Sequence, residues 1–155
     1  MKTIGVFIDV SNLYFTIHTR YGDSKKLDYR KFLDYVKTFG EVQQAIAYGS
    51  QLTDEANSFI CALERIGFTT KFKTVKTYAD GNRKADWDVG ITMDVVQMIA
   101  RLNRLVLGTA DGDFEPLVSW ARQTGCDVVV IGCGISKELR ESATTCIEIP
   151  ESLLE

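Results

Sequence analysis

The chain of 155 residues is 45% apolar and 25% charged, with 12 Gly and only 2 Pro, which excludes collagen-like, disordered and low-complexity classes. Eighteen basic against 21 acidic residues give a net charge of -3, which argues against a strongly cationic nucleic-acid or membrane-surface binder and leaves room for a local basic patch. A chain of this size buries about 70% of its unfolded surface as one domain and needs no disulfides, so a single domain over residues 1–155 is expected.

Residues 3–9 form a short apolar, partly β-branched run that reads as a buried strand, and Ser11 and Asn12 follow as helix-start residues for a helix to about residue 20. Residues 21–26 read as a loop. Tyr29, Phe32, Leu33 and Val36 fall at helical spacing within 28–39, and 42–48 reads as the second strand. Thr53 or Asp54 suits the cap of a helix whose apolar face carries Phe59, Ile60, Leu63 and Ile66 and which stops at Gly67. A strand at 69–75 leads into a turn-rich loop over 77–84, then a helix at 88–102. The fourth strand spans 104–110, a helix spans 114–124 and the fifth strand 127–132; a short helix near 136–143 and an extended piece at 146–149 finish the chain. This order, with short connections, calls for a three-layer α/β/α fold around a mostly parallel sheet. In such sheets ligands bind beyond the carboxyl ends of the strands, where the strand order reverses.

No apolar run approaches the roughly 20 residues of a membrane span. The start of the chain enters a strand directly with no cleavable signal pattern, so a cytoplasmic protein is expected. Cys61, Cys126, Cys133 and Cys146 are widely spaced and read as reduced, mostly buried thiols. His18 is the one histidine, so histidine-rich metal sites are excluded and any chemistry falls to carboxylates.

Two strands end in acid: the first in Asp9, the fourth in Asp111, with Asp113 at the start of the next helix. If these strands are neighbours at the reversal point, three carboxylates face one cleft. A further group, Asp86, Asp88 and Asp94, surrounds the start of the helix before the fourth strand. Six residues of helix separate Asp88 from Asp94 by roughly 120° and about 9 Å along the axis. Asp88 is therefore preferred for the cleft, with Asp94 as an outer group. Like-charged carboxylates raise one another's pKa values, a conflict that a bound divalent cation removes, and all-oxygen ligation suits Mg²⁺ or Mn²⁺. Such an ion lowers the pKa of a bound water and steadies a phosphoryl group, which makes phosphodiester hydrolysis the natural reaction. Taken singly, Asp88 and Asp113 also suit helix N-terminal positions.

Three blocks, Phe7-Ile8-Asp9-Val10-Ser11-Asn12, Lys84-Ala85-Asp86-Trp87-Asp88-Val89 with Thr92-Met93-Asp94, and Thr109-Ala110-Asp111-Gly112-Asp113-Phe114-Glu115-Pro116-Leu117-Val118, resemble the NYN domain of LabA-like proteins in the PIN-like ribonuclease superfamily. The resemblance covers nearly the whole chain. It implies a five-stranded parallel sheet in the order 3-2-1-4-5 and metal-dependent endonuclease activity on RNA, leaving 5′-phosphate and 3′-hydroxyl ends; single-stranded RNA is the expected partner. Carried over by position, Asp9, Asp88, Asp111 and Asp113 would hold Mg²⁺ or Mn²⁺, and Asn12 would orient a metal water or contact a phosphate. Asp94 matches a frequent acid of the family's helix. Asp86-Trp87 departs from the Gly and small residue common there, which leaves open whether Asp86 or Asp88 ligates.

Lys71, Lys73, Lys76, Arg83 and Lys84 against Asp80 give residues 71–84 a local charge of +4. With Ser11, these cations are the expected phosphate contacts, and Tyr78 and Trp87 are candidates for base stacking. The same lysines also suit an edge strand guarded against aggregation. Gly132-Cys133-Gly134-Ile135-Ser136 follows a strand and is a weak phosphate cradle, because Lys137 stands where the glycine fingerprint ends. A dehalogenase-like phosphatase wants a second Asp at position 11, where Ser11 stands. The competing function is a catalytically silent RNA- or protein-binding regulatory module that keeps the acidic pocket. Substrate capture by so small an acidic domain suggests a homodimer or an RNA-binding partner protein.

Overall fold

In the computed structural model, residues 2–51, 56–74, 76–77, 83–84 and 86–155 are described; for residues 51, 56, 74, 76, 77, 83 and 84 the description is of the backbone alone. The elements in chain order are β1 (Thr3–Asp9), α1 (Val10–Tyr21), α2 (Tyr29–Val36), β2 (Glu41–Gln51), α3 (Ala56–Ile66), β3 (Thr69–Thr74), β4 (Lys76–Thr77) and β5 (Arg83–Lys84). They continue as α4 (Asp88–Met98), β6 (Arg104–Gly108), α5 (Glu115–Gln123), β7 (Asp127–Gly132), α6 (Lys137–Ser142) and β8 (Thr145–Glu148). Each expected strand and helix is present. Thr53 and Asp54, the expected caps of α3, lie outside the described residues.

The main sheet has the order β3-β2-β1-β6-β7-β8, with every adjacent pair parallel. The expected order holds, but the sheet has six strands rather than five. The piece expected merely to be extended pairs with β7, from Val129 opposite Thr145 to Gly132 opposite Glu148. A four-residue, half-buried edge strand carries too little apolar signal to read as a sheet member from sequence. The expected loop over 77–84 contains a small antiparallel pair, β4 with β5.

Strand alternation divides the core cleanly. Ile4, Val6 and Ile8 of β1 face α1, α2 and α3 through Leu13, Phe32 and Leu63, whereas Phe7 joins Leu105 and Leu107 of β6 on the side of α4, α5 and α6. Both faces are covered, so central strands such as β7 are apolar along their whole length rather than alternating. Among the described residues no helix is long and apolar enough to cross a membrane, and the four cysteines are free thiols.

The chain leaves β1 toward β2 on one side, while β6 continues to β7 on the other, so the reversal of strand order lies between β1 and β6. Their register pairs Ile8 with Gly108, which brings Asp9 level with the first residue beyond β6. Gly132, at the end of β7, supports that turn by close approach: a Cβ there would stand 2.4 Å from the Thr109 carbonyl oxygen. Gly132→Ala is therefore expected to push the Thr109–Asp111 turn outward and to cost about 1–3 kcal/mol, as overpacking does. Thermal denaturation checks the cost, and metal affinity checks the displacement of Asp111.

Candidate metal centre

Asp9 closes β1 and caps α1, its Oδ1 accepting from the Asn12 N–H at 3.3 Å. Asp111 caps the single 3-10 turn after β6 in the same manner, its Oδ1 accepting from the Asp113 N–H at 2.9 Å. Asp88 opens α4. The capping side chains are thus Asp9 and Asp111, whereas Asp88 and Asp113, read from sequence as helix N-terminal acids, stand within the first turns that follow Trp87 and Asp111. One carboxylate oxygen from each of Asp88, Asp111 and Asp113 lies within 4.8 Å of the others.

Asp9 adjoins the trio and is only 9% exposed. Burial, with the Asp88, Asp111 and Asp86 charges adding to it, pushes its pKa up to about 6 despite the opposing Asn12 hydrogen bond. Asp88 is raised to about 6 by burial and then by Asp111, Asp86 and Asp113. The cluster is therefore electrostatically frustrated on its own. Oxygens on opposite sides of one Mg²⁺ stand about 4.2 Å apart, so the observed spacing fits a hard divalent cation with little adjustment. Asp88, Asp111 and Asp113, with Asp9 beside them, form a suitable donor set.

Asp86 lies next to this group and is exposed; its Oδ1 accepts from the Asp88 N–H at 3.4 Å, and its charge reaches both Asp9 and Asp88. Asp94 is elsewhere. Its Oδ2 accepts from the Tyr48 hydroxyl and the Lys71 ammonium, each at 2.7 Å. The helical angle argued from sequence separates Asp94 from Asp88 as expected, and Asp94 fastens α4 to β2 and β3. Asp94→Ala would leave the buried Tyr48 hydroxyl without its acceptor and release the part-exposed Lys71 ammonium, costing about 2–3 kcal/mol, most of it at Tyr48. For a chain of this length that lowers Tm by roughly 4–12 °C, measurable by thermal denaturation.

Sequence reasoning did not reveal the clamp that sets the start of α4. The Trp87 indole N–H donates to the Gly49 carbonyl at 2.8 Å, Tyr48 packs on the indole, and the Lys73 ammonium stands 4.1 Å from the ring centroid. Lys73 also donates to the Asp86 carbonyl at 2.9 Å. A tryptophan immediately before the first acid of a helix was the available signal. Lys71 and Lys73 thus already have partners, and the side chains of Lys76, Arg83 and Lys84, together with Tyr78, lie outside the described residues.

Asn12 spans the reversal point: its Oδ1 accepts from the Ala110 N–H at 2.9 Å, which aims the amide nitrogen away from that contact. Ser11 shares a 3.5 Å hydroxyl contact with Ser50. The Gly134 and Ile135 N–H groups donate to the Glu148 carboxylate at 2.8 and 2.9 Å, so the glycine turn considered as a phosphate cradle holds an internal anion. Asp9, Ser11, Asn12, Asp86, Asp88, Asp111 and Asp113 all line one cleft of about 1420 Å³.

The sequence model of the NYN domain matches residues 3–151. The chain belongs to the NYN domain family. As an NYN domain it falls within the PIN-like nuclease superfamily, in agreement with the sheet order and with the acids at the strand ends. It is 29% identical, over 94% of its length and 83% of the relative's, to the low amplitude and bright protein LabA of Synechococcus elongatus. The crystal structure of a protein of unknown function from Vibrio parahaemolyticus superposes with a TM-score of 0.90 at 30% identity, covering 99% of this chain and 96% of that one.

Proposed function

We propose that this NYN domain is a ribonuclease that hydrolyses phosphodiester bonds with a carboxylate-held Mg²⁺ or Mn²⁺. The observation that carries the reading is the convergence of Asp88, Asp111 and Asp113 beside buried Asp9 where the strand order reverses. The cluster is assembled within one chain, so the reading needs no second copy.

In this reading Asp88, Asp111 and Asp113 hold the ion, and Asp9 holds it directly or through water. The ion supplies an activated water and offsets charge on the phosphoryl oxygens. Asn12, with its carbonyl fixed by Ala110, uses its amide nitrogen to orient the attacking water or a phosphate oxygen. Asp9, ionised above its raised pKa of about 6, would accept a proton from the water as that water attacks phosphorus in line, the P–O3′ bond breaking opposite it and the departing 3′-oxygen taking a proton from solvent. Trp87 and Lys73 keep Asp88 in register with the ends of β2 and β3. In this reading Ser11 and the cations of the β4–β5 segment, Lys76, Arg83 and Lys84, contact flanking phosphates, with Lys71 held back by Asp94 and Lys73 by the Asp86 carbonyl.

The test incubates labelled single-stranded RNA with the wild type and with folded Asp9→Asn and Asp111→Asn variants, in Mn²⁺, Mg²⁺ or EDTA. Cleavage that requires metal and both carboxylates is expected. No cutting of varied RNA by protein that binds Mn²⁺ would replace this reading with a silent regulatory module.

A further inference from the structure

The cleft that holds the acids extends well beyond them. From Asp9 it runs between α1, the α1–α2 connection and α3. Its volume exceeds the roughly 300–1,000 Å³ of a small-molecule site, which suits a segment of polymer. Its far rim carries Lys25, Lys26 and Arg30. Lys25 is half-buried and the other two are exposed, and among the described residues none of the three has an ion-pair partner. Lys71 differs in this respect, being paired with Asp94, and Lys73 is engaged by the Asp86 carbonyl and the Trp87 ring. Asp28 and Glu155 lie on the same rim, but the Asp28 carboxylate is occupied in capping α2, accepting from the Lys31 N–H at 3.0 Å.

Between the acidic and basic ends the walls are aromatic. Tyr14 of α1 is 60% exposed and Phe59 of α3 is 37% exposed, although both line the cleft. Tyr14 is backed by His18 at a centroid distance of 4.0 Å, and Phe59 by Tyr29 at 5.6 Å. Tyr29 links the two ends: burial and the nearby Asp9 charge both hold its hydroxyl protonated, above the usual tyrosine range. Exposed ring faces beside unpaired cations match the needs of an unpaired nucleic-acid strand, whose bases stack on aromatics while its phosphates meet cations. A duplex stacks its bases on one another and leaves no faces for these walls.

We infer that the groove between α1, α2 and α3 seats the single-stranded RNA next to the scissile phosphate, with Tyr14 and Phe59 as base platforms and Lys25, Lys26 and Arg30 as phosphate contacts. The inference rests on the nuclease reading for the position of that phosphate. The strand's path is thus set by cations of the α1–α2 connection and the first turn of α2, on the opposite side of β2 and β3 from the Asp94-bound Lys71.

The test measures anisotropy of a fluorescein-labelled mixed-sequence RNA of 12 nucleotides, single-stranded or as a duplex, in the Asp111→Asn background with Mn²⁺ so that the strand stays intact. Combined Lys25→Ala, Lys26→Ala and Arg30→Ala is expected to weaken single-strand binding about tenfold or more and to flatten the salt dependence by about 2 log units per log unit of salt, at roughly 0.7 per lost contact. Tyr14→Ala and Phe59→Ala are each expected to weaken it about tenfold, the usual scale for a lost base platform. Lys137→Ala, an exposed residue of α6, is expected to bind as the parent does, and melting curves confirm that each variant is folded. Groove variants that bind like the parent, equal affinity for the duplex, or a parent that binds no RNA would overturn the inference. Cleavage by the wild type in Mn²⁺ is scored separately, so the groove can fail while the nuclease stands, and the reverse.

Discussion

Asp111→Asn is expected to lower Mn²⁺-dependent RNA cleavage by about 10²–10³-fold, the scale seen when one preorganised electrostatic contact is removed from a reacting centre, without weakening the fold in EDTA. The two effects have one origin. Asparagine keeps the oxygen that accepts from the Asp113 N–H, so the turn after β6 retains its cap. It removes a charge that raises both Asp9 and Asp88, so the apo protein is relieved of repulsion and should melt no lower than the wild type. Metal reverses the order. At a Mn²⁺ concentration about 100 times Kd the wild type gains roughly 2.7 kcal/mol, or about 5–11 °C in Tm for a chain of this length, and the variant loses most of that gain. Calorimetric melts with and without Mn²⁺, run beside the cleavage assay, read both effects. Full cleavage by the variant, or an apo variant that melts well below the wild type, would count against this role for Asp111.

Much of this site was legible because two of its acids, Asp9 and Asp111, follow strands that are buried on both faces. Such strands read as uninterrupted apolar runs, so the first polar residue after Ile8 and the acid after Ala110 mark the sheet edge directly. Helical geometry alone set Asp94 apart from Asp88 as an outer group while leaving its role open, and its hydrogen bonds to Tyr48 and Lys71 now give it one. What the sequence concealed depends on contacts between distant segments. Nothing in the local pattern around Lys71 announces a carboxylate 23 residues away, and a basic segment reads the same whether its ammonium groups are free or engaged. Conversely, Lys25 and Lys26 occupy a connection that reads as an ordinary solvated loop, and Arg30 follows in the first turn of α2. Their importance comes from α3 returning beside α1 and α2 to enclose the cleft. The sixth strand was concealed for another reason: β8 is short and only half-buried, and its pairing with β7 depends on where the chain turns after α6.

The pH dependence of stability should change sign when metal is added. For Asp9 the folded-state pKa of about 6 lies above its unfolded value near 3.8. A raised carboxylate makes the folded state bind more protons, so its contribution is fully present below the unfolded value and is lost as pH rises through about 6. Asp9→Asn mimics the protonated side chain. In EDTA the wild type and this variant should therefore have similar stability near pH 4, and by pH 7 the variant should be the more stable by up to about 3 kcal/mol, at 1.36 kcal/mol per unit. Asp88, raised in the same direction by burial and by Asp111, Asp86 and Asp113, adds a similar loss to both proteins and largely cancels from the comparison. With saturating Mn²⁺ the wild type should overtake the variant above about pH 6, because the ion competes with the same protons for the same oxygens. The acid limb of the cleavage profile should follow from this competition. It rises as Asp9 and Asp88 lose protons together, and it moves to lower pH as Mn²⁺ is increased. Profiles at two Mn²⁺ concentrations, set beside denaturant melts of both proteins from pH 4 to 7 in EDTA, provide the check. A limb that stays fixed while metal is varied would assign the titration to a group outside the cluster, and parallel melts of wild type and variant would remove Asp9 as its origin.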